Sequence, residues 1–394
     1  MIHLFLNGLA ASAGGGLTYL RNVLPQFSVR NDAHVTVALS SQLRQELRDL
    51  PNISFLETQT PKSVLQRFWH EQTVLPQLIR KSGADVLVST GNFALRKSPV
   101  PQVLLSRNSL YLSQDFFHDL RARKDHRLWI DTRMKGFLAR KSIRWADCTV
   151  APSRTFATEL RDWTGADVTT IYHGFDHGTF FGDETKLSHE LELKLGTEPE
   201  TLRFLFVSHY NYYRNFETLF RGVPLIREGL AGRKFKIFLT CRLSSENNPG
   251  QYQADTAAAL IQQLGIANDV VELGTVPYSQ LHHVYRACDI YLAPAYAESF
   301  AHPLVEAMAS GLPVVASDLP VHREICDAAA VYFERFSPSE LVSRVIQVAN
   351  SAELRRDMAN LGRKRAFDFS WTKHVTELTS LAQQLVERSG RRVH

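Results

Sequence analysis

The sequence predicts an α/β protein of two doubly wound, Rossmann-like domains that face a central cleft. Three observations support this fold class. With 394 residues, the chain is too long for one ordinary hydrophobic core. Short runs of β-branched residues alternate with longer helical patterns, which is typical of parallel sheets covered by helices on both faces. A polar stretch at residues 173–200 has little strand pattern and separates two series of such runs.

Candidate strands occur in both series. The first series contains Leu4–Leu6, Val35–Leu39, Val86–Val88, Val103–Leu105, Thr149–Ala151 and Thr169–Tyr172. The second contains Phe204–Val207, Ile237–Thr240, Val270–Leu273, Ile290–Ala293, Val314–Ala316 and Val331–Phe333. We therefore predict domains at residues 1–180 and 181–370, followed by a helix within 371–394. Ligands of such domains bind beyond the carboxyl ends of the strands.

The composition argues against several classes of protein. Hydrophobic residues make up 44% of the chain and charged residues 22%, which is ordinary for soluble globular proteins. No apolar run approaches the roughly 18 residues of a membrane span, and the first residues lack the basic flank of a signal peptide. The four cysteines are scattered without a C-x-x-C pair, so neither a zinc site nor a disulfide framework is expected. These features predict a cytoplasmic protein, and the net charge of +5 favours an anionic partner.

The most informative segment runs from Glu298 to Pro313. Pro303 and Gly311 have the positions expected at the start and just past the end of a helix. The loop before this helix would present backbone N–H groups at a helix N-terminus, which is a ready anion site. Glu298 ends a strand on one side of that loop, and Glu306 lies about one turn into the helix. Carboxylates suit hydroxyl pairs, so the segment predicts a ligand with both phosphate and hydroxyl groups, such as a nucleotide sugar.

This segment resembles the signature of family 4 retaining glycosyltransferases. Glu298 and Glu306 have seven residues between them and are followed by AMASGLPVV, as in that family. Further similarity lies in the segments 271–289, 321–325 and 369–371, and more loosely in 14–20 and 150–154. Members are two-domain enzymes of the GT-B fold. The resemblance therefore implies that fold, with a C-terminal helix packed back on the N-terminal domain. It also implies transfer of a sugar from a nucleotide-sugar donor to a hydroxyl of a glycan or lipid-linked glycan, with the anomeric configuration retained.

The resemblance also assigns roles in the donor half of the chain. Glu298 would lie beside the transferred sugar as a catalytic residue, and Glu306 would hold the nucleotide ribose. Val276 matches a position that contacts the base. Backbone contacts to the sugar and the diphosphate would come from Ser299, Phe300, Ala301 and Leu304.

A second motif, Val207–Asn215, departs from the family pattern. The family usually has Gly-Arg where this chain has Ser208 and His209, and Lys where it has Arg214. Arg214 is still a permanent cation with forked donors for phosphate, so we predict a catalytic role for it. His209 is a candidate donor-binding residue, and the alternative that it only packs at a strand end stays open. The hypothesis is that the diphosphate promotes protonation of His209, so that transfer weakens at alkaline pH.

The first half carries candidates for the acceptor side. Gly15 and Gly16 follow the first strand and permit close backbone approach to a ligand. They do not form the G-x-G-x-x-G fingerprint of nicotinamide enzymes. Where the family often has a histidine, this chain has Arg107 or Asn108. Asn108 can hydrogen-bond a hydroxyl but cannot take its proton, which is compatible with a retaining route in which the departing diphosphate accepts that proton.

Cofactor and partner predictions follow from what the chain contains. No Asp-x-Asp pair occurs in the sequence, so no metal or other cofactor is expected, and the nucleotide sugar is a donor substrate. Two alternatives stay open: a nucleotide-sugar epimerase, and a non-catalytic subunit that binds a nucleotide sugar or a glycan. Nucleic acid is not an expected partner, because the basic residues lack interleaved aromatic residues and a known motif.

Residues 121–144 are rich in cations, and Ile130, Met134, Phe137 and Leu138 recur among them at helical spacing. The cations are Arg121, Arg123, Lys124, Arg127, Arg133, Lys135, Arg140, Lys141 and Arg144. Such a helix can lie on an anionic membrane surface. The sequence favours the commoner arrangement, a solvated basic face above a stripe of apolar residues that face the core. A peripheral contact with the inner face of the membrane stays open as the alternative.

Overall fold

The computed structural model describes residues 1–11, 15–59, 61, 63–182, 184–248 and 252–391, so Gly14, the first residue of the segment 14–20, lies outside the described residues. The chain divides into two compact units. The first comprises Met1–Leu112, Ile130–Gly174 and Ser370–His394. The second comprises Ser113–Trp129 and Phe175–Phe369.

Strands and helices alternate along both units. The strands are β1 (Ile2–Asn7), β2 (Ala33–Leu39), β3 (Ile53–Glu57), β4 (Val86–Ser89), β5 (Gln102–Leu105), β6 (Cys148–Ala151), β7 (Val168–Thr170), β8 (Leu202–Phe206), β9 (Phe235–Leu239), β10 (Val270–Glu272), β11 (Ile290–Ala293), β12 (Val314–Ser317) and β13 (Ala330–Phe333). The helices are α1 (Gly15–Ser28), α2 (Ser41–Arg44), α3 (Val64–Ser82), α4 (Gln114–Ala122), α5 (His126–Trp145), α6 (Arg154–Thr164), α7 (His177–Phe181), α8 (His189–Leu195), α9 (Phe216–Gly229), α10 (Asp255–Gln263), α11 (Tyr278–Arg286), α12 (His302–Ala309), α13 (Pro320–Cys326), α14 (Pro338–Asn350), α15 (Ala352–Ala366) and α16 (Trp371–Arg391). Short 3₁₀ turns lie at Ser109–Tyr111, Tyr212–Arg214, Ser245–Asn247 and Asp327–Ala329.

Each unit is built on one parallel sheet. The strand order is β3-β2-β1-β4-β5-β6-β7 in the first unit and β10-β9-β8-β11-β12-β13 in the second. Both orders are doubly wound, because the chain moves outward from a first strand, returns, and then moves outward on the other side. The direction reverses between β1 and β4 and between β8 and β11. These are the switch points beyond which open α/β sheets bind ligands.

The predicted strands all overlap observed ones, and one observed strand was missed. Leu4, Phe5 and Leu6 of β1 are fully buried, as expected for a strand covered by helices on both faces. β3 lies at the sheet edge, where Ile53 is only half-buried and Ser54 is exposed. Its mixed pattern therefore lacked the continuous apolar run that identified the other strands.

The C-terminal helix α16 belongs to the first unit. Trp371, Val375 and Leu378 pack in the same core as Leu4 of β1. Next to them, the hydroxyl of Tyr19 on α1 lies 2.9 Å from Nε2 of His374. Burying one apolar face of α16 in this way holds the helix on the sheet by the hydrophobic effect.

The units divide at positions that differ from the predicted domains. The predicted boundary at residue 180 falls inside α7, whereas the units divide after Gly174. Helix α4, assigned by the sequence to the first domain, belongs to the second unit. Its acidic residues bind that unit: Asp115 pairs with Arg335 at 2.8 Å, and Asp119 accepts a hydrogen bond from the Tyr296 hydroxyl at 2.7 Å. The apolar pattern of α4 alone could not indicate these distant partners.

The expectation that the apolar residues of α5 face the core is wrong for three of the four. Ile130, Met134 and Phe137 are 52%, 45% and 62% exposed, and Leu138 alone is partly buried. The buried face of α5 consists of Thr132, Gly136, Ala139, Ser142 and Ile143. Among the described helices, none is long and apolar enough to cross a membrane.

Candidate functional site

Two loops are joined beyond the carboxyl ends of β8 and β11, at the switch point of the second sheet. Asn215, at the end of the loop after β8, donates a side-chain hydrogen bond to the carbonyl of Pro294, just past β11, at 3.1 Å. The backbone N–H of Tyr296 donates to the carbonyl of Tyr213 at 2.9 Å. Asn215 has a left-handed backbone with φ +58°, which asparagine tolerates better than most residues. These contacts fix each loop against the other.

Arg214 and Glu298 form a largely buried ion pair between these loops. Arg214 Nη1 donates to Glu298 Oε1, and the two side chains are 20% and 10% exposed. Burial raises the pKa of the Glu298 carboxyl above its ordinary value, although the Arg214 cation opposes this shift. Burial by itself would lower the pKa of Arg214, but Glu298, Tyr213 and Tyr291 together outweigh burial, so the pKa of Arg214 is raised. The site therefore contains a permanent guanidinium cation held by a fixed carboxylate.

Helix α12 begins at a residue with an unusual backbone conformation. Ala301 precedes the helix with φ +65° and ψ +64°, in the left-handed region, which costs a residue with a Cβ about 1–2 kcal/mol. Its methyl group cannot cap the helix, and its carbonyl accepts from the N–H of Leu304 at 3.0 Å. Pro303 stands in the first turn. Strained backbone of this kind clusters at binding sites, and the N–H groups of a first turn favour an anion.

Phe300 anchors the loop before α12. Its side chain is 2% exposed, and its ring centroid lies 5.4 Å from that of Phe369 and 4.9 Å from that of His302. Since the ring is committed to packing, only the backbone of Phe300 is placed to contact a ligand. The neighbouring Ser299 is half-buried.

Glu306 lies one turn into α12 and is 8% exposed. The hydroxyl of Tyr285 donates to its Oε2 at 2.9 Å. Burial raises the pKa of Glu306 to about 7, and this hydrogen bond opposes the shift. Tyr278, the first residue of α11, has a pKa raised by burial and by the charge of Glu306. Val276, the candidate base contact, lies just before α11 and is half-buried.

His209 lies in the loop after β8 with an exposed side chain. Its backbone is held, because its carbonyl accepts from the Ser208 hydroxyl at 2.6 Å and from the Asn211 amide at 3.3 Å. Partial burial and the Arg214 cation lower the pKa of His209 below its ordinary value. The imidazole is therefore neutral at pH 7, and a nearby anion would raise its pKa.

His322 is a site residue that the sequence interpretation missed. It lines a cavity of about 10 Å³ together with Arg214, Glu298, Ala301 and Leu304, among others. Burial lowers its pKa to about 4, so the ring is neutral, and its Nδ1 lies 3.0 Å from the carbonyl of Ser317. Donation from Nδ1 would leave Nε2 as an acceptor. Four residues predicted for the donor site therefore line the same cavity as His322. The sequence around His322 looks like that of an ordinary buried helix residue, so it did not indicate this position.

The remaining predicted residues lie in the first unit. Gly15 and Gly16 begin α1 just beyond β1, and a Cβ at Gly16 would lie only 2.8 Å from the Cα of Ala11. Close backbone approach therefore requires glycine at that position. Asn108 accepts from the N–H of Leu110 at 3.0 Å and so caps the 3₁₀ turn at Ser109–Tyr111. Its side-chain oxygen is engaged in local structure.

Glu71 on α3 is a second buried carboxyl that the sequence did not indicate. It is 5% exposed, accepts from Asn7 Nδ2 at 2.9 Å and lies 3.5 Å from Arg67 Nε. Burial raises its pKa to about 7, although Asn7 and Arg67 oppose the shift. Asn7 ends β1, so Glu71 lies at the switch point of the first sheet. A glutamate inside a helical pattern carries no sign of such a position.

Comparison with known families covers both units. The family described as "Glycosyltransferase Family 4" matches residues 13–178, and "Glycosyl transferases group 1" matches residues 190–365. This chain belongs to glycosyltransferase family 4. The Glu298–Pro313 signature lies inside the second match. The chain has two parallel-sheet, Rossmann-like domains of the GT-B type.

Curated relatives resemble the chain over part of their length. An uncharacterised glycosyltransferase of Methanocaldococcus jannaschii is 26% identical over 231 residues, which are 57% of this chain and 56% of the relative. The D-inositol 3-phosphate glycosyltransferase of Nocardia farcinica is 30% identical over 181 residues, 45% of this chain and 39% of the relative. The chain spans about half the length of the curated relatives it matches.

Solved structures resemble the chain over nearly its whole length. Sucrose-phosphate synthase from Thermosynechococcus elongatus has a TM-score of 0.80 and 16% identity, covering 98% of this chain and 100% of that one. HepE from Anabaena, in complex with UDP-glucose, has a TM-score of 0.69 and 16% identity, again covering 98% and 100%. At these identities the likeness establishes the shared fold alone.

Proposed function

We propose that this glycosyltransferase moves a sugar from a nucleotide-sugar donor to a hydroxyl of a glycan or lipid-linked glycan, with retention of the anomeric configuration. The observation that carries the proposal is the convergence of Arg214, Glu298 and the start of α12 at the switch point of the second sheet. A fixed cation, backbone N–H donors and a carboxylate are thus available within one small region. That set matches the diphosphate and hydroxyl groups of a nucleotide sugar.

Each part of the donor has a candidate partner. The diphosphate binds between Arg214 and the first turn of α12, because both present positive charge. Glu306 accepts hydrogen bonds from the ribose hydroxyls, and Glu298 accepts one from the transferred sugar. His209 gains a proton beside the diphosphate and adds a further donor. Val276 contacts the base.

The chemical step needs no general base from the first unit. The bond from the sugar C1 to the phosphate oxygen breaks, and a bond from C1 to the acceptor oxygen forms on the same face. The acceptor proton moves to the departing phosphate oxygen, so the products are the glycosylated acceptor and a nucleoside diphosphate. Arg214 and the start of α12 stabilise the charge that develops on the leaving group. Asn108 takes no part as a base, because an amide cannot accept that proton.

The proposal includes metal-independent transfer. Arg214 and the α12 N-terminus supply positive charge to the diphosphate, and the sequence has no Asp-x-Asp pair. Full activity after treatment with EDTA is expected. Activity that returns only when Mg²⁺ or Mn²⁺ is added would contradict this part of the proposal.

The comparisons suggest which compounds to test first. HepE binds UDP and UDP-glucose, and several curated relatives are named for D-inositol 3-phosphate. A thermal-shift panel of nucleoside diphosphates and their sugars ranks the donors, because a ligand of the folded state raises its apparent stability with affinity. The best donor is then offered with glycan, lipid-linked and inositol phosphate acceptors.

Proton NMR of the product tests the reaction type. We expect the coupling constant of the anomeric proton to show the same configuration in product and donor. An inverted product would contradict retention. Isomerisation of the donor sugar without transfer would indicate an epimerase, and donor binding without any turnover would indicate a non-catalytic binding subunit.

A further inference from the structure

Large apolar side chains are exposed together on the first unit. Trp69 of α3 is 67% exposed, and Ile130, Met134 and Phe137 of α5 are 52%, 45% and 62% exposed. Between the two helices runs a groove of about 440 Å³, lined by Leu65, Trp69, Arg133, Met134, Phe137 and Leu138. We call the region formed by Trp69, Ile130, Met134 and Phe137 the α3–α5 surface. A contiguous apolar region marks an interaction site, whereas scattered single residues do not.

The packing of α5 is the reverse of an ordinary surface helix. Its buried face is composed mainly of small or hydroxyl-bearing residues, such as Thr132, Gly136 and Ser142. Its larger apolar residues recur on the opposite face at spacings of three and four residues. A helix that only covered the core would show the opposite arrangement. The outward side chains of α5 therefore have no role in the core of this unit.

The same outward face of α5 is strongly basic. Arg133, Arg140 and Arg144 are exposed, and Lys141 Nζ lies 5.6 Å from the centroid of the Phe137 ring. The one acidic residue of α5, whose residues are all described, is Asp131, and it pairs with Lys135. The α3–α5 surface thus combines exposed aromatic and aliphatic groups with a net positive flank.

We propose that the α3–α5 surface docks on an anionic lipid membrane. Trp69, Met134 and Phe137 enter the boundary between headgroups and acyl chains, where tryptophan is enriched. The flanking cations bind headgroup phosphates. Charge complementarity favours this occupant over a second copy of the chain, because two copies meeting at this surface would bring like charges together. The docking stands on the first unit alone and does not depend on sugar transfer.

Vesicle flotation of the full chain tests the proposal. We expect the protein to float with vesicles of phosphatidylcholine containing about 30% phosphatidylglycerol, and much less with phosphatidylcholine alone. Raising the salt concentration should weaken the binding, because it screens the headgroup charge. Flotation that fails with both kinds of vesicle, or that is equal with both, would overturn the proposal.

Two variants of α5 test separately whether its apolar side chains and its cations bind the vesicles. Phe137→Ser should lower the partition coefficient by about tenfold or more, because it removes an aromatic side chain from the lipid boundary. Arg140→Glu with Lys141→Glu should lower it by at least about fivefold for each cation removed. Leu193→Ser on α8 removes an apolar side chain that is 67% exposed in the second unit, and is the matched control for the first change. Arg221→Glu, at an exposed position of α9, is the control for the second.

The variants also separate lipid from protein occupants. Circular dichroism should show unchanged folding, since the substituted side chains lie on the outward face. Controls that lose flotation as strongly as the α5 variants would overturn the assignment of the surface. If the parent stays unbound to vesicles and light scattering shows a dimer that Phe137→Ser dissociates, the surface is an interface between copies and the lipid proposal is wrong.

Discussion

Glu306→Gln separates the effect of a buried carboxylate on stability from its use in binding. Glu306 is 8% exposed, and its pKa is about 7, against 4.5 for an unperturbed glutamate. The folded protein therefore keeps this proton up to about pH 7, whereas the unfolded chain loses it near pH 4.5. Because the folded state binds the proton more tightly, stability falls as the pH rises between these values. The free energy of unfolding lost by pH 8 is about 3 kcal/mol.

Glutamine removes this loss because it carries no charge at any pH. Its carbonyl oxygen can still accept the Tyr285 hydrogen bond, which measures 2.9 Å to the carboxylate of Glu306. We expect the variant and the parent to agree within about 1 kcal/mol at pH 5, and the variant to be about 2–3 kcal/mol more stable at pH 8. An amide accepts ribose hydroxyls less strongly than a carboxylate, so nucleoside diphosphate affinity at pH 8 should fall by about tenfold or more.

Urea unfolding followed by far-UV circular dichroism at pH 5 and pH 8 measures the stability, and calorimetric titration measures the affinity. Glu71→Gln is the matched control, because Glu71 is 5% exposed with a pKa of about 7 in the other unit. Glu71→Gln should show a similar gain in the free energy of unfolding at pH 8, with unchanged nucleotide affinity. If Glu306→Gln gained the same stability at pH 5 and pH 8, the raised pKa of Glu306 would not be the cause, and the argument would be refuted. Unchanged nucleotide affinity would refute the role at the ribose.

Three further predictions concern Arg214, Gly16 and His209. Arg214→Ala should destabilise the protein by about 3 kcal/mol or more, because it leaves Glu298 buried without its cation. Urea unfolding should show that adding Glu298→Ala recovers most of this loss without restoring activity, and strictly additive losses would contradict the coupling. Gly16→Ala should lower stability by about 1–3 kcal/mol in thermal unfolding, since its Cβ would lie 2.8 Å from a backbone carbon, and an unchanged midpoint would refute that close approach. In a Glu306→Gln background, donor affinity should fall from pH 6 to pH 8 as His209 loses its proton, and an identical profile in His209→Arg would argue against this role.

Most of the strands could be predicted because their residues are buried on both sides of a sheet. The apolar runs of β1 and β11 needed no knowledge of their neighbours. β3 could not be predicted in this way, because its half-buried residues alternate with exposed ones and its pattern is mixed. The orientation of α5 could not be predicted from the sequence either. A helical period shows that two faces differ, but the neighbouring elements decide which face they cover.

The candidate donor site could be predicted in part because its charged residues are concentrated in short segments. Glu298, the start of α12 and Glu306 lie within nine residues, and the spacing itself carries the information. His322 could not be recognised, because its place beside Arg214 and Glu298 depends on a cavity formed with residues far away in the chain. Glu71 could not be recognised from the sequence for the same reason, since its buried position depends on Asn7 at the end of β1. Burial and pKa are properties of the assembled fold.

The central claim is that Glu298 acts on the transferred sugar in a retaining glycosyltransferase. Its most direct test is the rate of nucleoside diphosphate release from the donor, in the presence of acceptor, by the parent and by Glu298→Gln. Glutamine keeps the size of the side chain and can accept a hydrogen bond from Arg214, so it costs less stability than truncation, and far-UV circular dichroism checks that the variant is folded. We expect release to fall by at least about 100-fold in the variant, with donor affinity changed much less. Turnover by Glu298→Gln at the rate of the parent would contradict the claim.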